Sequence, residues 1–201
     1  MAIERSEQYL EIVIRAARRV DLRTVERFID LLEAAYRDGR AVYFIGNGGS
    51  AANASHFAED LSMGAMPDLE GKRFRVLSLT DNTSYITALA NDKGFDRVFE
   101  LQLRQFGQKG DLLVVISGSG NSPNVVRAAE YAKSIGMIVV ALTGFDGGKM
   151  RALADLNVHV PHPNMCQSEA VHSILQHLVA DLLKERLSAP APRPAARGRQ
   201  R

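Results

Sequence analysis

Five short apolar runs, each set off by stretches of helical periodicity, dominate the chain from residue 41 onward. The runs are AVYFI at 41–45, FRVLSL at 74–79, DLLVVI at 111–116, MIVVAL at 137–142 and LNVHV at 156–160. Helical patterns occupy 50–63, 83–92, 95–107, 122–135 and 165–187. Strands that alternate with helices predict an α/β fold in which a parallel sheet is joined by right-handed crossovers. Ligands in such sheets bind beyond the carboxyl ends of the strands.

Two glycine- and serine-rich turns lie at those ends. The first, GNGGSAANASHFAED at 46–60, follows the run at 41–45 and opens a helix. Glycines allow close backbone approach, and the free N–H groups and dipole of a helix N-terminus attract an anion. The second, Ser117-Gly118-Ser119-Gly120-Asn121-Ser122, follows the run at 111–116 and precedes Pro123 in the first turn of the next helix. Proline is favoured there because its missing N–H would be unpaired anyway. Three hydroxyls in six residues can wrap a phosphate without a lysine, whereas in an ordinary loop Ser122 would serve only as an N-cap. Two such turns after two strands of one sheet favour the phosphate seat.

The first helix also carries His56 and Asp60, four residues apart and on one face. The last helix adds Glu169, His172 and His177. At 100° per residue Glu169 and His177 lie about 80° apart, whereas His172 and His177 lie about 140° apart. One of these histidines is therefore expected to be structural. Two histidines and two carboxylates from two helices can form a tetrahedral zinc site.

Residues 1–38 read as two helices, with Asp21 as N-cap of the second and Gly39 as its stop. Their broad apolar face can pack on the same chain or on another subunit. The segment 39–187 forms the main domain. The tail, 188–201, has three prolines, four arginines and no acid, and is expected to be a disordered, solubilising basic tail. The 201 residues carry a net charge of only +2, which gives no case for nucleic-acid binding. A single cysteine, Cys166, excludes an intrachain disulfide and suits a reducing cytoplasm. The first thirteen residues, MAIERSEQYLEIV, are charged too early for a signal peptide. No apolar run approaches the roughly 20 residues of a membrane span.

The segments GNGGSAANASHFAE, ITALANDKGFDRVF, ISGSGNSPNVVRAA and ALTGFDGGKM together resemble a sugar isomerase (SIS) domain. They are most similar to the sedoheptulose 7-phosphate isomerases, or phosphoheptose isomerases. The resemblance runs from about residue 5 to 187. It implies a three-layer α/β/α sandwich (the SIS fold) with an N-terminal helical extension, assembled as a homotetramer with sites at subunit interfaces. It also implies one zinc ion per subunit and conversion of sedoheptulose 7-phosphate to D-glycero-D-manno-heptose 7-phosphate, toward nucleotide-linked heptoses. By resemblance Asn47, Gly48, Gly49, Ser50, Asn91 and Asp92 line the substrate. Ser117, Gly118, Ser119 and Ser122 surround its phosphate. The zinc and catalytic positions fall on His56, Asp60, Glu169 and His177, which leaves His172 structural. The family usually has glutamate where this chain has Asp60, and glutamine where it has Glu169.

The implied chemistry is proton transfer between C1 and C2 through an enediol(ate). Asp60 or Glu169 would be the base and His177 the acid. Three other readings stand beside it. One is an isomerase of another sugar phosphate, such as a pentose or hexose phosphate. A second is a non-catalytic tetrameric SIS protein that binds the replication initiator; such proteins lack the carboxylate and final histidine that this chain keeps. The third is a sugar-phosphate-sensing regulatory domain, for whose usual DNA-binding extension residues 1–38 are too short.

Overall fold

The computed structural model describes residues 2–189; the expected basic tail lies, from residue 190 on, outside the described residues. The helices α1 (Ala2–Arg18) and α2 (Leu22–Asp38) come first. They are followed by β1 (Ala41–Ile45), α3 (Gly49–Glu59), β2 (Arg75–Ser78), α4 (Thr83–Lys93), α5 (Val98–Phe106) and β3 (Leu112–Ser117). The remainder is α6 (Pro123–Ser134), β4 (Ile138–Thr143), the short α7 (Met150–Leu153), β5 (Leu156–His159) and α8 (Met165–Ser188). The five strands form one parallel sheet in the order β2-β1-β3-β4-β5.

The central strands β1 and β3 are buried along their whole length, as expected of parallel strands covered on both faces. Alternate residues then serve opposite cores. Val42, Phe44, Val114 and Val140 pack with α1, α2, α3 and α8 in one core. Tyr43, Val115, Val139 and Ala141 pack with α5, α6 and α7 in the other. The result is the three-layer α/β/α sandwich. The N-terminal helices belong to the first core, where Val13, Ala16, Val25, Phe28, Ile29 and Leu32 are buried. The other side of α1 leaves Ile3, Tyr9, Leu10 and Ile14 exposed.

Local signals set the element ends. Asp21 accepts the Arg23 N–H at 3.0 Å and caps α2, and Gly39 closes it with φ 69°. Asn164 caps α8 by accepting from Gln167 N–H at 3.2 Å. The helix expected over 50–63 is α-helical only to Glu59; Asp60–Gly64 then forms a π-helical turn. Such turns widen a helix by one residue and often occur where a side chain is re-aimed. Among the described residues no helix is long and apolar enough to cross a membrane.

After β1 the chain leads to β2 on one side of it, and β3 then pairs on the other. The strand order reverses between β1 and β3. Their carboxyl ends diverge there, and both glycine-rich turns leave from them.

Candidate active site

A cleft of about 240 Å³ opens at this reversal. Asn47, Gly48, Gly49 and Ser50 line one wall, and Ser117, Gly118, Ser119 and Ser122 the other. Ile116, Met165 and Glu169 complete it. The eight turn residues expected to meet substrate are thus brought together, and Asn91 and Asp92 are not. Those two are exposed on α4, where Asn91 donates to Asp92 Oδ1 at 2.8 Å.

No side chain caps α3, so its first-turn N–H groups are free of side-chain partners; in α6 Pro123 has no N–H and Asn124 Oδ1 takes that of Val125 at 3.0 Å. Ser122 stands at the cap position of α6 but its hydroxyl makes no capping bond, leaving it available to a ligand. The hydroxyls of Ser117 and Ser119 accept from Gly120 N–H at 3.2 Å and Asn121 N–H at 3.3 Å, which shapes the turn.

A second layer holds the turns in place. The side-chain amides of Asn47 and Asn124 exchange hydrogen bonds between the two turns, at 2.9 Å and 2.8 Å. The segment ALTGFDGGKM braces the serine turn from outside. Gly144 N–H donates to Gly118 O at 2.8 Å, Lys149 N–H to Asn121 Oδ1 at 3.0 Å and Met150 N–H to Gly120 O at 3.1 Å. A Cβ on Gly120 would collide with the Gly147 carbonyl, so the two loops fit only with glycine at this contact.

His56 on α3 and Asp60 at the start of the π-helical turn meet His177 on α8. His56 Nε2 lies 3.7 Å from Asp60 Oδ1, and His177 Nδ1 lies 3.5 Å from Asp60 Oδ2. The two imidazoles sit edge to face with centroids 5.0 Å apart. One ligand atom from each residue falls within 4.8 Å of the others. Two imidazole nitrogens and a carboxylate oxygen are donors of the kind that zinc takes, gathered here within 4.8 Å.

Glu169 stands apart from this cluster. Its carboxylate accepts from Ser50 Oγ at 3.1 Å, and a Cβ on Gly49 would come within 2.5 Å of it. Three of the four expected residues are thus brought together, and Glu169 lies beside Gly49 and Ser50 instead. The reason is axial distance: eight residues of helix separate Glu169 from His177 by about 12 Å, which a view down the axis does not reveal.

His172 is 1% exposed. Burial pushes its pKa down to about 4, and neither ring nitrogen has a hydrogen-bond partner among the described residues. It is a neutral core residue outside the cluster.

Sequence reasoning missed three polar residues at the site. Asn124 joins the two turns. Asn53 donates to Glu169 O at 3.3 Å and accepts from Ser173 Oγ at 2.8 Å, tying α3 to α8. Gln176 donates to Asp60 Oδ2 at 2.9 Å. The available signal was a buried-face amide in an otherwise apolar stretch, as in PNVV and ILQHLV.

The sequence profile of the SIS domain family matches residues 3–144, and a second SIS domain profile matches residues 106–183. A phosphoheptose isomerase of Aliarcobacter butzleri is 40% identical over 152 residues, covering 76% of this chain and 79% of the relative. The chain belongs to the phosphoheptose isomerase family of SIS-domain proteins. Among solved structures, the phosphoheptose isomerase from Neisseria gonorrhoeae matches with a TM-score of 0.84 at 36% identity, covering 92% of this chain and all of the other. The phosphoheptose isomerase from Francisella tularensis gives a TM-score of 0.85 at 27% identity, covering 92% of this chain and 99% of the other. Phosphoheptose isomerases thus share the fold over nearly the whole described chain, the site-bearing elements included.

Proposed function

We propose that the protein is an aldose–ketose isomerase that converts sedoheptulose 7-phosphate to D-glycero-D-manno-heptose 7-phosphate, a step of heptose biosynthesis. The observation that carries this reading is the pairing of the Asp60–His177 contact with the cleft between the two glycine- and serine-rich turns, one of which opens α3. Gly49 at the seat and His56 in the cluster are seven residues apart on α3, about 10 Å along its axis. That separation suits a sugar whose phosphate and reacting carbons are at opposite ends.

In this reading the N-termini of α3 and α6, with Ser119 and Ser122, bind the phosphate. Asp60 takes a proton from C1 of the open ketose, and the C–H electrons form the C1–C2 double bond while O2 accepts a proton from His177. Return of the carbon-bound proton to C2 and loss of the O1 proton give the aldehyde. Glu169, in the same cleft, is the alternative base. His56, Asp60 and His177 would hold a zinc ion, which when bound polarises carbonyl and hydroxyl oxygens.

Assembly as a homotetramer is part of the proposal. It is supported by the exposed apolar side of α1 and by α4, which buries none of its residues. A partner's α4 would bring Asn91 and Asp92 to a cleft that the same chain's copies do not reach. The proposed location is the cytoplasm, which agrees with the lone, exposed Cys166.

The test is isomerase activity of the purified protein on sedoheptulose 7-phosphate, with zinc added and after chelation. Zinc-dependent aldoheptose formation is expected. No turnover in either condition would overturn the assignment and point to another sugar phosphate.

A further inference from the structure

Asp60 carries its carboxylate on one methylene and opens the π-helical turn, where the α-helical ladder of α3 ends. Its side-chain hydrogen bond comes from α8: Gln176, fully buried, donates from Nε2 to Asp60 Oδ2 at 2.9 Å. Only the NH₂ end of an amide can donate to a carboxylate, so this contact fixes which way the amide points.

The other end of the amide is unusual. Gln176 Oε1 is buried with no hydrogen-bond partner among the described residues, and the same holds for both ring nitrogens of His172, four residues earlier on the same helix. A buried polar group left unpaired is costly. The paired end of the amide, toward Asp60, is the one that can serve the site. Neighbours four residues apart on a helix have Cβ atoms about 5–6 Å apart, so a ring N–H of His172 is within reach of Oε1 through one rotamer change or one water.

We propose that Gln176 is a positioning residue for Asp60, holding Oδ2 so that Oδ1 stays turned to His56. This rests on the isomerase reading above. A neutral donor suits the task, because a lysine or arginine here would hold the carboxylate equally well but oppose its acting as a base. The longer side chain on α8 supplies reach that aspartate lacks.

The experiment uses the full-length protein as wild type, Gln176→Leu and Gln176→Glu, and repeats the leucine change in an Asp60→Glu background. Leucine keeps most of the volume, and glutamate keeps the shape while removing the donor. Three quantities are read: zinc affinity by competition with a chromophoric chelator, kcat and KM for sedoheptulose 7-phosphate, and thermal melting as the control for folding. Second-layer partners of metal ligands are typically worth about 10–100-fold, so both single variants are expected to lose that much in zinc affinity and kcat, with KM little changed. In the Asp60→Glu background the longer carboxylate spans the gap itself, and Gln176→Leu is expected to cost less than about threefold, a coupling that a merely structural residue would not show.

Unchanged zinc affinity and kcat in the folded variants would overturn the inference while leaving the isomerase reading intact. An equal loss in both backgrounds would overturn it as well. A wild type that neither holds zinc nor turns over the sugar would instead remove the isomerase reading, and the inference with it.

Discussion

Asn47 and Asn124 face each other as a closed pair of amides, each donating to the other, and so join the turn after β1 to the turn after β3. Asn124 is 2% exposed and also accepts from Val125 N–H at 3.0 Å. Truncating it leaves Asn47 with no partner for either half of its amide. Asn124→Ala is expected to cost about 1–3 kcal/mol in urea unfolding, the usual range for a buried polar group left unpaired. The loosened seat should also raise KM for the sugar phosphate by about tenfold, the equivalent of 1.4 kcal/mol. Steady-state kinetics beside the unfolding curve would check both.

Among the described residues, Asp60 is the carboxylate that meets both histidines of the cluster. Asp60→Asn keeps the shape and removes the base. Loss of general-base assistance typically costs about 10²–10⁴-fold, so kcat should fall by that much while the sugar phosphate still binds at the serine turn. Isothermal titration with substrate, beside the activity assay, would separate the two effects. Retained turnover would transfer the base role to Glu169.

His172 gives the fold a specific acid sensitivity. Its folded pKa, about 4, lies below the ordinary 6.5 because burial disfavours the charged ring. Between those values the unfolded chain binds the proton and the folded chain does not, so stability falls as pH falls from 6.5 toward 4 and is unaffected above that window. The full difference is on the order of 3 kcal/mol. Urea midpoints at steps of pH should show this slope in the wild type and a shallower one in His172→Leu.

The exposed side of α1 tests assembly. Leu10 and Ile14 are apolar and exposed beside Ile3, and a charge buried against a partner at this patch would be unpaired. Leu10→Asp is expected to shift the sedimentation profile to smaller species without lowering the melting temperature of the isolated subunit. Loss of activity in parallel would follow if the α4 of a neighbour completes the cleft.

Much of this arrangement was legible in the residues. The five strands and the helices between them follow from runs of apolar residues and their spacing, because a parallel strand is buried on both faces and leaves an uninterrupted signature. The two turns were legible for the same kind of reason: glycine and serine at a strand's end have few other uses in such number. The short α7, Met150–Leu153, escaped because four residues carry no periodicity. Asn53, Asn124 and Gln176 escaped because their partners are 116, 77 and 116 positions away in the chain, so nothing local marks them. Glu169 was grouped with His177 by angular projection of α8 and by resemblance; in the structure its carboxylate meets Ser50, about 12 Å of rise nearer the start of the helix than a projection shows.

The reversal of strand order between β1 and β3 has a further meaning. The recess exists because two neighbouring crossovers depart in opposite directions, and no side chain is needed to hollow it out. What the recess accepts is decided by two turns that contribute little to the two buried cores. A lineage with this scaffold can therefore rewrite its substrate by exchanging turn residues, as long as the sheet beneath stays the same.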